Sequence, residues 1–203
     1  MKPECETKCR LLRVAKQLLW ENSYGSVSVD DICKRAEVNK GSFYYFFPSK
    51  SDLAVAAMEA DWQEKSNAHD QMFSPQVPPL ERLERYCQAS YECQKVKREQ
   101  YGKVCGCPAM TLGTELSTQD EKVRLKAVEI MNRYVRYLES ALRDAAAEGL
   151  IRTDSPHRLA EELFCYWQGV LVQAKMRNDL EPLRGMKTGM FRLIQVREMA
   201  VPA

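Results

Sequence analysis

Three helix starts crowd into residues 28–52 (SVDDICKRAEVNKGSFYYFFPSKSD), and no other stretch limits the fold so tightly. Ser28 stands three residues before Asp31, a variant of the capping box in which each side chain serves the other's backbone. Asn39 is a second cap, and the helix it opens stops at Pro48, because proline cannot continue a helix. Ser49, with Asp52 three residues on, opens a third. The spacing leaves room only for a short helix, a tight turn, another short helix, and then a new start.

The remaining periodicity is helical as well. Leu11, Leu12, Ala15, Leu18 and Leu19 form an apolar stripe on a first helix, with Gly25 placed to take a left-handed conformation after it. A helix from Ser49 to about Lys65 carries Leu53, Ala56, Ala57 and Ala60. Longer helices follow over 80–98, 119–148 and 156–177, and a last one from Glu181 or Pro182 fades near Met199. Cys105 to Gly113 is small, glycine-rich and uncharged, and reads as a loop. Strand alternation and hairpin turns are absent. The expected fold is all-α: an N-terminal three-helix unit over residues 1–48, and a larger helical domain over 49–203.

Charge and cysteine usage narrow the function classes. Lys and Arg total 30 against 28 Asp and Glu, but the first fifty residues hold nine against six. A basic front end on a near-neutral body points toward a polyanion. The longest uncharged apolar run, Leu163 to Ala174, is too short for a bilayer span. The first ten residues lack an apolar signal core, so a cytoplasmic location with no membrane partner is expected. Eight cysteines in so large and helical a chain read as thiols rather than a disulfide scaffold. With two histidines and no CxxC pair, neither a metal site nor a cofactor is expected.

Residues 28–47 fit a helix-turn-helix, whose second helix enters the major groove of DNA. Ala36 is small where the two helices cross, and Val38 plugs the turn. Gly41 lets the reading helix approach a phosphate or base. Tyr44 and Tyr45 can present hydroxyls to phosphates or base edges. Lys40 and Lys50 supply charge, Lys50 beside the open amides of a helix start. Ser28 is aimed by its cap geometry at a phosphate. Phe43 and Phe47 read as core, and Lys34 and Arg35 as either a solvated face or contacts.

The string VSVDDICKRAEVNKGSFYYFFPSKSDL resembles the N-terminal signature of the TetR family of transcriptional regulators, over about residues 9–55. The resemblance implies a homodimer, operator DNA as partner, a helical effector-binding core, and dimerisation through the last two helices. Carried over by position, it makes Ser42, Tyr44, Tyr45 and Lys50 DNA contacts. Phe46 departs from the polar residue of many relatives. On the two expected dimer helices, Leu159, Leu163, Tyr166 and Val170 mark one stripe, and Met186, Met190 and Leu193 mark another.

The effector end admits two readings. Trp62, Tyr86, Met110, Tyr134 and Trp167 are candidates to line an apolar pocket, or simply core. Cys105 and Cys107, in the CGCP segment, could form a reactive thiol pair or be buried fillers. The stretches CGCPAMTLGTELS and LVQAKMRNDLEPLRGM resemble the TetR subgroup that includes the repressor of N-ethylmaleimide reductase. That implies an electrophile or small-molecule effector sensed through Cys107, although similar relatives respond to non-covalent ligands. A cysteine enzyme is the rival from another class, but no histidine stands near the CGCP segment to act as base. A protein-interaction module with a vestigial helix-turn-helix is a third.

Overall fold

The computed structural model describes residues 3–196, which form ten helices and no strand. These are α1 (Pro3–Glu21), α2 (Val29–Ala36), α3 (Lys40–Phe46), α4 (Lys50–Met72), α5 (Pro79–Tyr101), α6 (Pro108–Leu116), α7 (Glu121–Ala147), α8 (Pro156–Arg177), α9 (Glu181–Arg184) and α10 (Met186–Leu193). The chain divides into two compact units. The first comprises the chain up to Ser66 with Cys107–Met131; the second comprises Asn67–Gly106 with the chain from Asn132 onward.

In the first unit, α1–α3 and the start of α4 enclose Leu11, Ala15, Leu19, Ile32, Ala36, Phe43 and Leu53. Each large apolar side chain so buried stabilises the unit by about 1.5–3 kcal/mol. That burial holds helices as short as α2 and α3, which would not persist alone in water. The expected caps form. Ser28 Oγ accepts from the Asp31 N–H at 3.1 Å, and Asp31 Oδ2 accepts from the Ser28 N–H at 2.8 Å. Asn39 Oδ1 accepts from the Ser42 N–H at 2.7 Å.

The left-handed residue of this region is not Gly25 but Glu37, at φ 54°. It closes α2 with its own N–H on the Lys34 carbonyl and the Val38 N–H on the Cys33 carbonyl. A left-handed turn is needed there to bring the chain back for α3, and the paired bonds offset its strain.

The segment expected as a loop from Cys105 to Gly113 turns helical at Pro108, where α6 begins with proline in its first turn. Gly113 is a packing residue in that helix. A Cβ there would lie 2.6 Å from the Ala127 Cβ, so α6 and α7 cross too closely for any larger residue.

In the second unit, α5 packs against α9 and α10, which pack against α8. Arg82 is 2% exposed: it meets Asp144 at 2.5 Å and donates through Nε to the Val77 carbonyl at 2.7 Å, fixing the proline-rich link before α5. Helix α8 spans the expected residues and ends on Asn178 at φ 50°. The expected final helix breaks at Gly185 into α9 and α10, and its predicted end near Met199 lies outside the described residues. A Cβ on Gly189 would fall 1.7 Å from the Tyr166 hydroxyl, so glycine lets α10 lie directly against α8.

Candidate functional site

Helix α3 presents the aromatic pair to solvent. Tyr44 is 52% exposed and Tyr45 71%, while Phe43 beneath them is fully buried. Tyr44 stands edge-on to the buried Phe43 at 5.1 Å, and Tyr45 edge-on to the half-buried Phe46 at 4.9 Å. Lys40 and Gly41 are exposed at the start of α3, Ser42 is half-buried, and Ser28 is exposed at the start of α2. Lys40 Nζ lies 2.7 Å from Asp30, whose carboxylate raises its pKa. A Cβ on Gly41 would meet Asn39 Oδ1 at 3.2 Å, so this glycine also leaves room for the cap of the helix it opens.

Lys50 requires a correction. Its ammonium does not point outward as an expected phosphate contact would. It donates to the carbonyls of Tyr24 at 2.8 Å and Val27 at 2.7 Å, and lies 3.8 Å from the centre of the Tyr24 ring. Burial pushes its pKa down, opposed by the charges of Glu115 and Asp31. The peptide dipoles of the α1–α2 turn draw it in. The same turn is gripped from α6, where Glu115 accepts the N–H of Tyr24 and that of Gly25, each at 3.0 Å. Sequence reasoning missed Glu115 because its partners lie ninety positions away and no local pattern announces them.

The CGCP segment begins in the second unit. Gly102 and Gly106 both adopt φ 72°, and Lys175 Cδ would stand 3.3 Å from a Cβ at Gly106. Between them, Gln94, 3% exposed, accepts from the N–H of Cys105 at 3.1 Å and of Gly106 at 2.8 Å, and donates to the Gly106 carbonyl at 3.1 Å. Asn178 accepts the Val104 N–H at 2.9 Å. Cys105 is 3% exposed. Cys107, in the first unit, is half-buried and occupies the N-cap of α6, its carbonyl accepting the Thr111 N–H at 2.9 Å.

Of the expected pocket residues, Tyr86, Tyr134 and Trp167 come together in the second unit, their ring centres 5.0 to 6.4 Å apart. Trp167 donates to Ser90 Oγ at 2.9 Å, and Ser90 to the Tyr86 carbonyl at 2.8 Å. His69, Phe73 and Phe164 extend the cluster. In the first unit, Trp62 is buried on α4 and Met110 is half-buried on α6.

The expected dimer stripe also needs correction. Leu163, Met186 and Met190 have no exposed surface, so they belong to the protomer's own core and cannot contribute area to an interface. Leu159, Tyr166, Val170 and Leu193 keep partial exposure. Another line on α8, through Cys165, Gly169, Val172 and Met176, is exposed, Met176 to 82%. Among the described residues no helix is long and apolar enough to cross a membrane, and no cluster of three His, Cys, Asp or Glu residues is placed to hold a metal.

The sequence profile described as "Bacterial regulatory proteins, tetR family" matches residues 11–57, and that of the "Tetracyclin repressor-like, C-terminal domain" matches residues 79–190, more than half of the chain. The chain belongs to the TetR family of bacterial regulatory proteins. It is 31% identical over 175 residues to the transcriptional regulator AcuR of Cereibacter sphaeroides, spanning 85% of this chain and 78% of AcuR. It is 27% identical over 182 residues to the HTH-type transcriptional repressor NemR of Escherichia coli, spanning 89% of each. The crystal structure of reduced E. coli NemR superposes with a TM-score of 0.80 at 25% identity, covering 95% of this chain and 99% of that one. As a TetR-family member the chain is a DNA-binding transcriptional regulator, not an enzyme.

Proposed function

We propose that this TetR-family regulator is a cytoplasmic homodimeric repressor. It holds double-stranded operator DNA through α3 and lets go when a small electrophile or oxidant modifies Cys107. Residues 1–48 form the reading head and 49–203 the effector-binding and dimerisation part. The exposed Tyr44–Tyr45 pair on a capped, seven-residue helix carries the DNA assignment. Two large aromatics rarely stand open on so short a helix unless they meet a partner. Lys40 exchanges Asp30 for a phosphate, and Ser28 and Ser42 reach the backbone beside it.

Two copies pair along the exposed line of α8, with Leu159, Tyr166, Val170 and Leu193 at its margins. For half-sites on one face of the duplex, the two α3 helices must sit about 34–36 Å apart, or a multiple of that. Modification of Cys107 favours a different separation. For an effector that binds reversibly, linkage makes effector and operator weaken each other equally.

The place of Cys107 supports its role: it stands at the N-cap of α6, half-buried rather than sealed in the core as Cys105 is. With a maleimide, the thiolate sulfur bonds to one alkene carbon, the C=C π pair passes to the other, and that carbon takes a proton from water. The likeness to NemR, a repressor whose structure was solved in a reduced form, supports repression and a redox-linked response. Gel shifts on the promoter beside the chain's own gene test both halves. Tyr44→Ala with Tyr45→Ala weakens binding at least about tenfold, the scale of a lost contact of 1–3 kcal/mol. Unchanged binding removes α3 from the interface. Cys107→Ser binds as the parent does and no longer releases with N-ethylmaleimide. Normal release by that variant replaces the thiol with non-covalent binding at the Tyr86–Tyr134–Trp167 cluster.

A further inference from the structure

We propose that Glu115 is a positioning residue for DNA reading: it is the carboxylate through which α6, the helix that Cys107 caps, sets the place of the reading head. This rests on the thiol reading of Cys107 for its trigger, but the positioning role stands on geometry alone. The turn from Tyr24 to Val27 joins α1 to α2 and is held from two sides by opposite charges. Glu115 of α6 takes its two N–H groups, and Lys50 of α4 takes two of its carbonyls. Amides at an exposed turn ordinarily bond to water, so a two-pronged carboxylate grip from a distant helix is a deliberate fixture.

The position of this turn is the position of the reader. Val27 at its end is 4% exposed, and the next residue, Ser28, caps α2. Helix α2 packs on α3 through Ala36 and closes through Val38 onto the Cys33 carbonyl, so α3 follows α2 as one body.

Helix α6 is built to transmit. It is nine residues long, with Cys107 capping one end and Glu115 next to the last residue at the other. Gly113 lets α6 cross α7 closely at Ala127, and that crossing is the point about which a tilt of α6 would turn. The arm from Gly113 back to Cys107 is about 9 Å at 1.5 Å per residue. A tilt that lengthens the two 3.0 Å bonds by about half an ångström takes both to the limit of hydrogen bonding. The Tyr24–Val27 turn then keeps Lys50 and its internal Val27 N–H to Tyr24 carbonyl bond, but loses the grip of α6.

The test uses the full-length protein, N-ethylmaleimide as probe, operator binding by fluorescence anisotropy, and hydrogen exchange at the Tyr24 and Gly25 amides. In the parent, alkylation raises the operator Kd by at least about tenfold, within the usual range of allosteric coupling, and speeds exchange at both amides. Cys107→Ser, treated alike, does neither. In Glu115→Ala the amides exchange fast before and after treatment. Its untreated operator Kd is raised with no change in the slope against salt, and alkylation shifts that Kd less than about twofold. Glu115→Gln, which keeps the shape but offers one acceptor oxygen, falls between and guards against simple misfolding.

The inference is overturned if alkylated parent protein releases DNA while the Tyr24 and Gly25 amides stay protected, or if Glu115→Ala binds and responds as the parent does. Should the parent fail to release at all, the thiol reading falls. The untreated operator Kd and salt slope of the two Glu115 variants then decide the positioning role.

Discussion

Two backbone segments in this molecule are clamped by side chains from elsewhere, and the clamps are of opposite kinds. The α1–α2 turn is held by charged groups, Glu115 and Lys50, each reaching from another helix of the first unit. The segment Val104–Gly106 in the second unit is held by neutral amides, Gln94 and Asn178, with Gln94 3% exposed. A buried neutral clamp has no proton to gain and no water to replace it, so it locks its segment. A half-exposed charged clamp can be replaced by water at modest cost, so it suits a place that must move. The segment before Cys107 is thus fixed, and the turn before the reading head is adjustable.

The largest expected effect tests the locked clamp. Gln94→Ala strands two N–H groups and one carbonyl in a buried site, at a cost of about 3 kcal/mol. Thermal unfolding followed by circular dichroism shows a midpoint lowered by roughly 10 °C. A shift of only one or two degrees means that water fills the gap and the two clamps are alike.

A smaller effect tests the adjustable one. Lys50→Ala weakens operator binding about tenfold by loosening the turn, and leaves the slope of log K against log salt unchanged. Were Lys50 a phosphate contact, its loss would lower that slope by about one. Anisotropy titrations at several salt concentrations separate the two.

The smallest effect is on pH. The Ser28 side-chain and backbone bonds hold the Asp31 carboxyl below the usual aspartate range. Asp52 is held low by its bonds to Lys122 and Ser49. A depressed folded-state value adds stability above the ordinary pKa near pH 4, and that stability is lost as pH falls through the lower value. Between pH 5 and pH 2.5, hydrogen exchange therefore rises in α2 and the first turn of α4 before it rises at Cys105 and Gly106. Simultaneous loss at both places breaks the comparison.

Much of this was legible beforehand because it is local. The Ser28–Asp31 box, the Asn39 cap and the span of α8 depend on residues within a few positions of one another. The departures have one origin. Glycine at 106 and 113 makes the CGCP segment look like a loop, but Gly113 is there for Ala127, which sits on another helix. Lys50 reads as a cation near a helix start because the carbonyls that capture it lie over twenty positions earlier. Part of the expected dimer stripe is buried because periodicity finds the apolar positions of α8 but not which of them the rest of the protomer covers. Leu163 and Val172 are equally apolar, yet only Val172 remains outside.

From the amino-acid order alone came the all-helical class, the capped pair that forms the reading head, and the outward-facing tyrosines. Cap bonds and apolar spacing act over one helical turn, so they can be read without knowing what lies opposite. The grip of Glu115 and Lys50 on one turn, the lock of Gln94, and the face of α8 left open were decided only by the folded chain. Each needs a partner brought near by packing, and the free energy of such a contact depends on distance and burial that no local pattern encodes.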